Sequence, residues 1–169
     1  PIETRQPNPD ILAIAHRGAA KWAPENTLAA VAKAIELGYP YIELDVRYTS
    51  DRVPVIMHDS GVDRTTNGSG NVGELTLAEL KALDAAYWFV TGEGTPHDAD
   101  AAAYEFRGIA TGEKSPPPGY TADDFKIPTL EEALMAFPDK LINVELKPDL
   151  DGQGNYEQQI ADLLIRYGR

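Results

Sequence analysis

Tyr41-Ile42-Glu43-Leu44-Asp45-Val46 decides the reading of this chain. The run is strand-sized, and Glu43 and Asp45 stand two apart, so a strand points both carboxylates to the same face. Just upstream, Leu28, Val31, Ala32 and Ile35 recur at helical spacing after Pro24. Asn26 or Thr27 can cap that helix, and Gly38 follows its end. Further upstream, Ile11–Ala15 is a short apolar run ending at His16, read as a buried strand. Residues Pro1 to Asp10 are polar and Pro-containing and read as a leader.

Downstream, Val53–Met57 reads as a third strand ending at His58. The stretch from Asp63 to Gly73 is rich in Gly, Asn and Thr and reads as a loop. Thr76–Leu83 and Thr129–Phe137 read as helices, each opening on a Thr-x-x-Glu capping box. Between them, residues 91–125 carry many Gly, Ala, Asp and Pro residues and form too long a connection for a compact domain, so they read as an insertion or lid. Leu141–Leu146 is a fourth strand and Tyr156–Tyr167 a closing helix. Strands alternating with helices predict an α/β fold with parallel strands and helical crossovers. Two architectures satisfy this pattern: an open four-stranded sheet, or the first half of a (β/α)8 barrel.

The size, 169 residues, fits one domain spanning 11–169. A formal net charge of −12 makes the surface repel nucleic acid and anionic membrane. An anionic substrate therefore needs a local device, either a bound cation or a few placed Arg and Lys side chains. The chain has no cysteine, which excludes disulfides, thiolate metal sites and cysteine nucleophiles. No apolar run approaches the ~18 residues of a membrane span. The absent cysteines and the start at Pro1 without Met fit an extracytoplasmic or secreted protein and leave the compartment open.

Polar residues gather where the four strands end: His16 and Arg17, Glu43 and Asp45, His58 and Asp59, Glu145 and Lys147. Ligands of parallel α/β folds bind at the carboxyl rim of the strands. Carboxylates converging without Cys suit a hard cation, Mg2+ or Ca2+, while structural salt bridges are the alternative use of Glu43 and Asp45. His16 and His58 can serve as an acid and base pair, since imidazole titrates near neutrality. Arg17 and Lys147 can hold phosphate oxygens or pair with the carboxylates. His97 lies in the 91–125 segment and reads as a surface residue.

Six short motifs in order resemble the glycerophosphodiester phosphodiesterase family. His16-Arg17-Gly18 followed by Pro24-Glu25-Asn26-Thr27 is similar to its opening signature. Glu43-Leu44-Asp45 is similar to its metal motif, and Pro54–Asp59 to its second histidine strand. Asp63–Gly68, Ile127–Glu132 and Val144-Glu145-Leu146-Lys147 continue the series. The resemblance implies a (β/α)8 TIM barrel of the phosphodiesterase type that hydrolyses glycerophosphodiesters to sn-glycerol 3-phosphate and an alcohol. It implies His16 and His58 as the acid and base, and Glu43, Asp45 and Glu145 as ligands of a divalent cation. It further implies Arg17 and Lys147 as phosphate contacts and Asn26 as a supporting hydrogen-bonder. The chain stops at Arg169 with four strands. The expectation is therefore about the first half of the barrel, completed by self-association or by a C-terminal half. Two rivals stand beside this reading. One is a related phospholipase of the sphingomyelinase D or phosphatidylinositol-specific phospholipase C type. The other is a non-catalytic half-barrel that binds metal or a partner.

Overall fold

The structure, a computed structural model, describes residues 12–148 and 155–169. The leader expected at 1–10, and Ile11 of the first strand, lie outside the described residues. The elements run β1 (Ile14–Ala15), α1 (Leu28–Glu36), β2 (Tyr41–Tyr48), β3 (Pro54–Ile56), α2 (Leu77–Lys81), α3 (Leu130–Ala136), β4 (Leu141–Leu146) and α4 (Tyr156–Arg166).

β2 is the central strand. β1 pairs with it in parallel through Ile14↔Tyr41 and Ala15↔Ile42, and β4 pairs in parallel through six positions from Tyr41↔Leu141 to Val46↔Leu146. The two parallel pairings follow the expected helical crossovers. β3 departs from the expectation that every strand is parallel, because it runs antiparallel to β2 through Val46↔Ile56, Arg47↔Val55 and Tyr48↔Pro54. The reason is chain length. Residues 49–53 are the whole connection, which suffices for a hairpin, whereas a parallel return needs about a dozen residues or more. β2 also runs on to Tyr48, so Glu43 and Asp45 lie in its middle and the hairpin folds His58 back to their level. Met57 N donates to Asp45 O at 2.9 Å and fixes that return.

The pleat sorts β2 into two faces. Ile42, Leu44 and Val46 are fully buried against helices. Ile42 and Leu44 pack with Val31 and Ala34 of α1 and Ala133 of α3. Val46 packs with Leu130 and Leu134 of α3 and Ile160 and Leu163 of α4. Tyr41, Glu43 and Asp45 alternate onto the opposite face. β4 shows the same division: Ile142, Val144 and Leu146 turn toward the helical layer, while Leu141, Asn143 and Glu145 are exposed. Residues alternating between a helix-covered apolar face and an opposite face, on adjacent parallel strands, are what a barrel wall requires.

Side chains start α1, α2 and α3 as the sequence suggested. Thr27, rather than Asn26, caps α1 by accepting from Ala30 N. Thr76 and Thr129 form full capping boxes with Glu79 and Glu132. Residues 91–125 hold only two short 3-10 turns, Ala101–Ala103 and Ala122–Phe125. They are packed nonetheless, with Ile109, Ala110 and Phe125 buried against Ala29 of α1 and Ala86. Among the described residues, no helix is long and apolar enough to cross a membrane.

Candidate active site

The loop after β1 builds the first wall of the site. Arg17 (φ +53°) and Gly18 (φ +78°) adopt left-handed conformations in succession, which reverses the chain at the rim. A side chain at Gly18 would meet Ala30 Cβ at 2.7 Å, so only glycine lets the loop press onto α1. The reversal aims Arg17 N at Glu43 Oε2, 2.8 Å away, and seats Gly18 N on Glu43 O at 3.2 Å. Asn26, also left-handed at φ +58°, donates its backbone N–H to Arg17 O at 3.0 Å. Its side chain reads Asp45 twice: Nδ2 donates to Asp45 Oδ2 at 2.8 Å, and Oδ1 accepts from Asp45 N at 3.3 Å. Asn26 is buried and holds the 24–27 segment against β2.

The register of β2 with β4 places Glu145 opposite Asp45. Glu43, Asp45 and Glu145 each present one oxygen within 4.8 Å of the others. Glu43 and Asp45 are buried, and Glu145 is exposed at the rim. Lys147 Nζ lies 2.8 Å from Asp45 Oδ1 and also bonds Glu145. Burial raises the Asp45 pKa, but hydrogen bonds from Lys147 and Asn26 outweigh it and hold Asp45 below its ordinary value. Glu43 shifts the other way. Burial and the neighbouring Asp45 charge push its pKa up, although Arg17 N donates to it. Its Oε1 is buried with no hydrogen-bond partner. A buried carboxylate oxygen left unpaired beside two further carboxylates fits a divalent cation, and an all-oxygen donor set fits a hard one.

His16 extends from the end of β1, with Nε2 3.8 Å from Glu43 Oε2 and a side chain 67% exposed. His58 follows β3, next to Met57, whose N–H donates to Asp45 O at 2.9 Å. The His58 carbonyl accepts from Arg47 Nε at 2.8 Å, and His58 Nδ1 lies 2.5 Å from Asp59 Oδ1. The structure therefore brings His16, Arg17, Asn26, Glu43, Asp45, His58, Glu145 and Lys147 to one rim. Arg17 Nη1 bonds Glu25 at 3.0 Å, and its Nε lies 3.5 Å from Asp45.

Sequence reasoning gave no role to Glu25 or Arg64, and named Asp59 only as a strand-end residue. Arg64 Nη1 and Nη2 donate to the two oxygens of Glu25 at 2.9 and 2.7 Å, and its Nε donates to Asp59 Oδ2 at 2.5 Å. Both residues fall inside quoted motifs, Pro24–Thr27 and Asp63–Gly68, and that was the available signal. His97 is exposed, as expected, but not isolated. It stacks on Trp88 at 4.2 Å, and its Nε2 donates to Arg64 O at 3.0 Å.

With this geometry in hand, comparison with known proteins places the chain. Residues 16–167 match the Glycerophosphoryl diester phosphodiesterase family. A glycerophosphodiester phosphodiesterase of Caldanaerobacter subterraneus subsp. tengcongensis is 39% identical over 158 residues, covering 92% of this chain and 53% of that protein. Among solved structures, a glycerophosphodiester phosphodiesterase from Agrobacterium tumefaciens superposes with a TM-score of 0.67 at 33% identity, covering 92% of this chain and 52% of the other. An Oleispira antarctica phosphodiesterase in complex with the product sn-glycerol-3-phosphate gives 0.65 at 33% identity, covering 93% and 53%. The chain spans about half the length of the relatives it matches. Its sheet and helices are thus part of a (β/α)8 barrel of the phosphodiesterase type. The match runs from the first rim histidine to the closing helix and takes in every motif that lines the site, so the chain belongs to the glycerophosphoryl diester phosphodiesterase family.

Proposed function

We propose that the protein containing this chain hydrolyses glycerophosphodiesters to sn-glycerol 3-phosphate and an alcohol, using Mg2+ or Ca2+ held by Glu43, Asp45 and Glu145. The observation that carries the reading is the convergence of these three carboxylates within 4.8 Å, with His16 beside Glu43. Family membership supports it, as does likeness to a phosphodiesterase captured with sn-glycerol-3-phosphate.

A cation at the carboxylates supplies positive charge that neutralises the phosphate and acidifies a nearby glycerol hydroxyl. The residues of the chain do the rest. Arg17 and Lys147 now neutralise Asp45, Glu25 and Glu145 at the rim, and each can turn toward phosphate oxygens. Arg17 does so by a planar fork and Lys147 as a point charge. This local positive charge offsets the repulsion that a chain of net charge −12 exerts on an anionic substrate. One of His16 and His58 takes the glycerol hydroxyl proton, and the freed oxygen attacks phosphorus. The other gives a proton to the departing alcohol oxygen, leaving a cyclic phosphate. Water then opens the ring with the two histidines in exchanged roles. Asn26 holds Asp45 in place throughout.

Glycerophosphocholine turnover by His16→Ala and His58→Ala variants tests the assignment. Each is expected to lose about a hundredfold or more in kcat while remaining folded. Near-normal turnover by His58→Ala would remove that residue from the mechanism. Release of phosphocholine in place of glycerol 3-phosphate would favour a phospholipase-like cleavage instead.

A further inference from the structure

Arg64 lies outside the carboxylate cluster, yet it joins three segments that the chain keeps far apart. Its Nε grips Asp59, its two terminal nitrogens grip Glu25, and Nη1 also reaches Thr95 Oγ1 at 3.3 Å. Its own position is fixed from outside, because His97 donates to its carbonyl and is itself stacked on Trp88. The guanidinium thus binds two carboxylates at once, a geometry that only the planar fork of arginine provides.

The carboxylate on the Nε side is the one that touches His58. Neighbouring side chains along a chain have no inherent reason to meet. Here Asp59 Oδ2 is drawn to Arg64, and that leaves Oδ1 against His58 Nδ1 at 2.5 Å. Burial pushes the Asp59 pKa up, but the Arg64 and His58 hydrogen bonds overcome it and bring it to about 2. Asp59 is therefore an acceptor only, and the ring nitrogen facing it must carry the hydrogen. The second ring nitrogen, Nε2, is then free to exchange a proton with substrate.

We infer that Arg64 is a positioning residue that acts through Asp59 to fix the orientation and the Nδ1–H tautomer of His58, with Thr95 and His97 of the 91–125 segment holding Arg64 in place. The inference rests on His58 being the proton-transfer group of the proposed reaction. It also gives the 91–125 segment a part in the site through its first few residues.

The test is histidine 15N NMR of the intact protein, read on the high-pH plateau of the ring signals themselves, together with steady-state kinetics on glycerophosphocholine. His58 is assigned by the signal lost in His58→Ala. The wild type is expected to show the Nδ1–H form. In Arg64→Gln the ring shifts toward Nε2–H, and kcat falls about tenfold while KM stays within about twofold. Arg64→Lys can hold one carboxylate but not fork two, so it lies between them, and it carries the test should Arg64→Gln fail to fold. A wild-type His58 protonated on Nε2, or an unchanged tautomer in the arginine variants, would overturn the inference. The ring measurement needs no turnover. Failure of the hydrolytic reading, seen as active His58→Ala, is therefore distinguishable from failure of this one.

Discussion

Glu43 and Asp45 stand two residues apart on one strand face and live in opposite electrostatic environments. Asp45 is engaged by Lys147 and Asn26, whereas Glu43 keeps one buried oxygen unpaired. A carboxyl whose folded pKa is raised gives stability that is full below its ordinary pKa and is lost as pH rises through the folded value. At neutral pH without a cation, Glu43 is thus a liability, and Glu43→Gln should stabilise the chelated protein by about 1 kcal/mol. With Mg2+ or Ca2+ present, the same variant should be the less stable of the two, because a ligand is gone. Paired thermal unfolding curves check this reversal of sign. Asp59 follows the other rule. Its folded pKa of about 2 lies below its ordinary 3.8, so its contribution is full above about pH 4 and is lost as pH falls toward 2. Acid unfolding of the wild type should show this loss, and Arg64→Gln should flatten it. The sequence made the first pair legible, since period-two spacing in a strand assigns a face without any tertiary information. It could not show Glu25 and Arg64 as partners, because they are 39 residues apart and their pairing depends on how two loops fold over the rim.

At the scale of elements, the helix starts were readable because each cap is local chemistry. Thr76 and Thr129 each give and accept hydrogen bonds with the Glu three residues on, and nothing beyond the helix is needed to form them. Thr129→Ala should cost about 1 kcal/mol, measured by denaturant unfolding, since it frees the first turn of α3, the helix that packs on both Leu44 and Val46 through its neighbours. The span Leu141–Leu146 was legible to the residue. The direction of β3 was not inferred from its apolar run, which reads alike in either sense. The short 49–53 connection held that information, and with it the reason that His58 returns to the level of Asp45. The 91–125 segment has no periodicity to read, and its packing comes from scattered residues such as Ile109 and Phe125 meeting α1.

At the scale of the whole molecule, the fold separates labour between two faces of one sheet. The apolar face of β2 and β4 is spent on α1, α3 and α4, and the polar face collects the carboxylates, with the two histidines, Arg17 and Lys147 beside them at one rim. The α/β class and the ordered motifs were readable from sequence, because strand-helix alternation and rim chemistry both leave local marks. β1, β3 and β4 each pair with β2 alone among the described strands and so form the sheet edges, and Ile14 on β1 and Leu141 on β4 are exposed. The match to about half of each relative's length gives those edges their place within a barrel. The central claim is the proposal that a cation at these carboxylates and the two histidines as acid and base act together on a phosphodiester bond. It is tested most directly by following glycerol 3-phosphate released from glycerophosphocholine by the intact protein, first after treatment with chelator and then after Mg2+ or Ca2+ is restored. The account predicts that turnover vanishes with chelator and returns with the cation. Turnover that persists unchanged in chelator, or a cation-restored protein that binds the ion and releases no glycerol 3-phosphate, would contradict it.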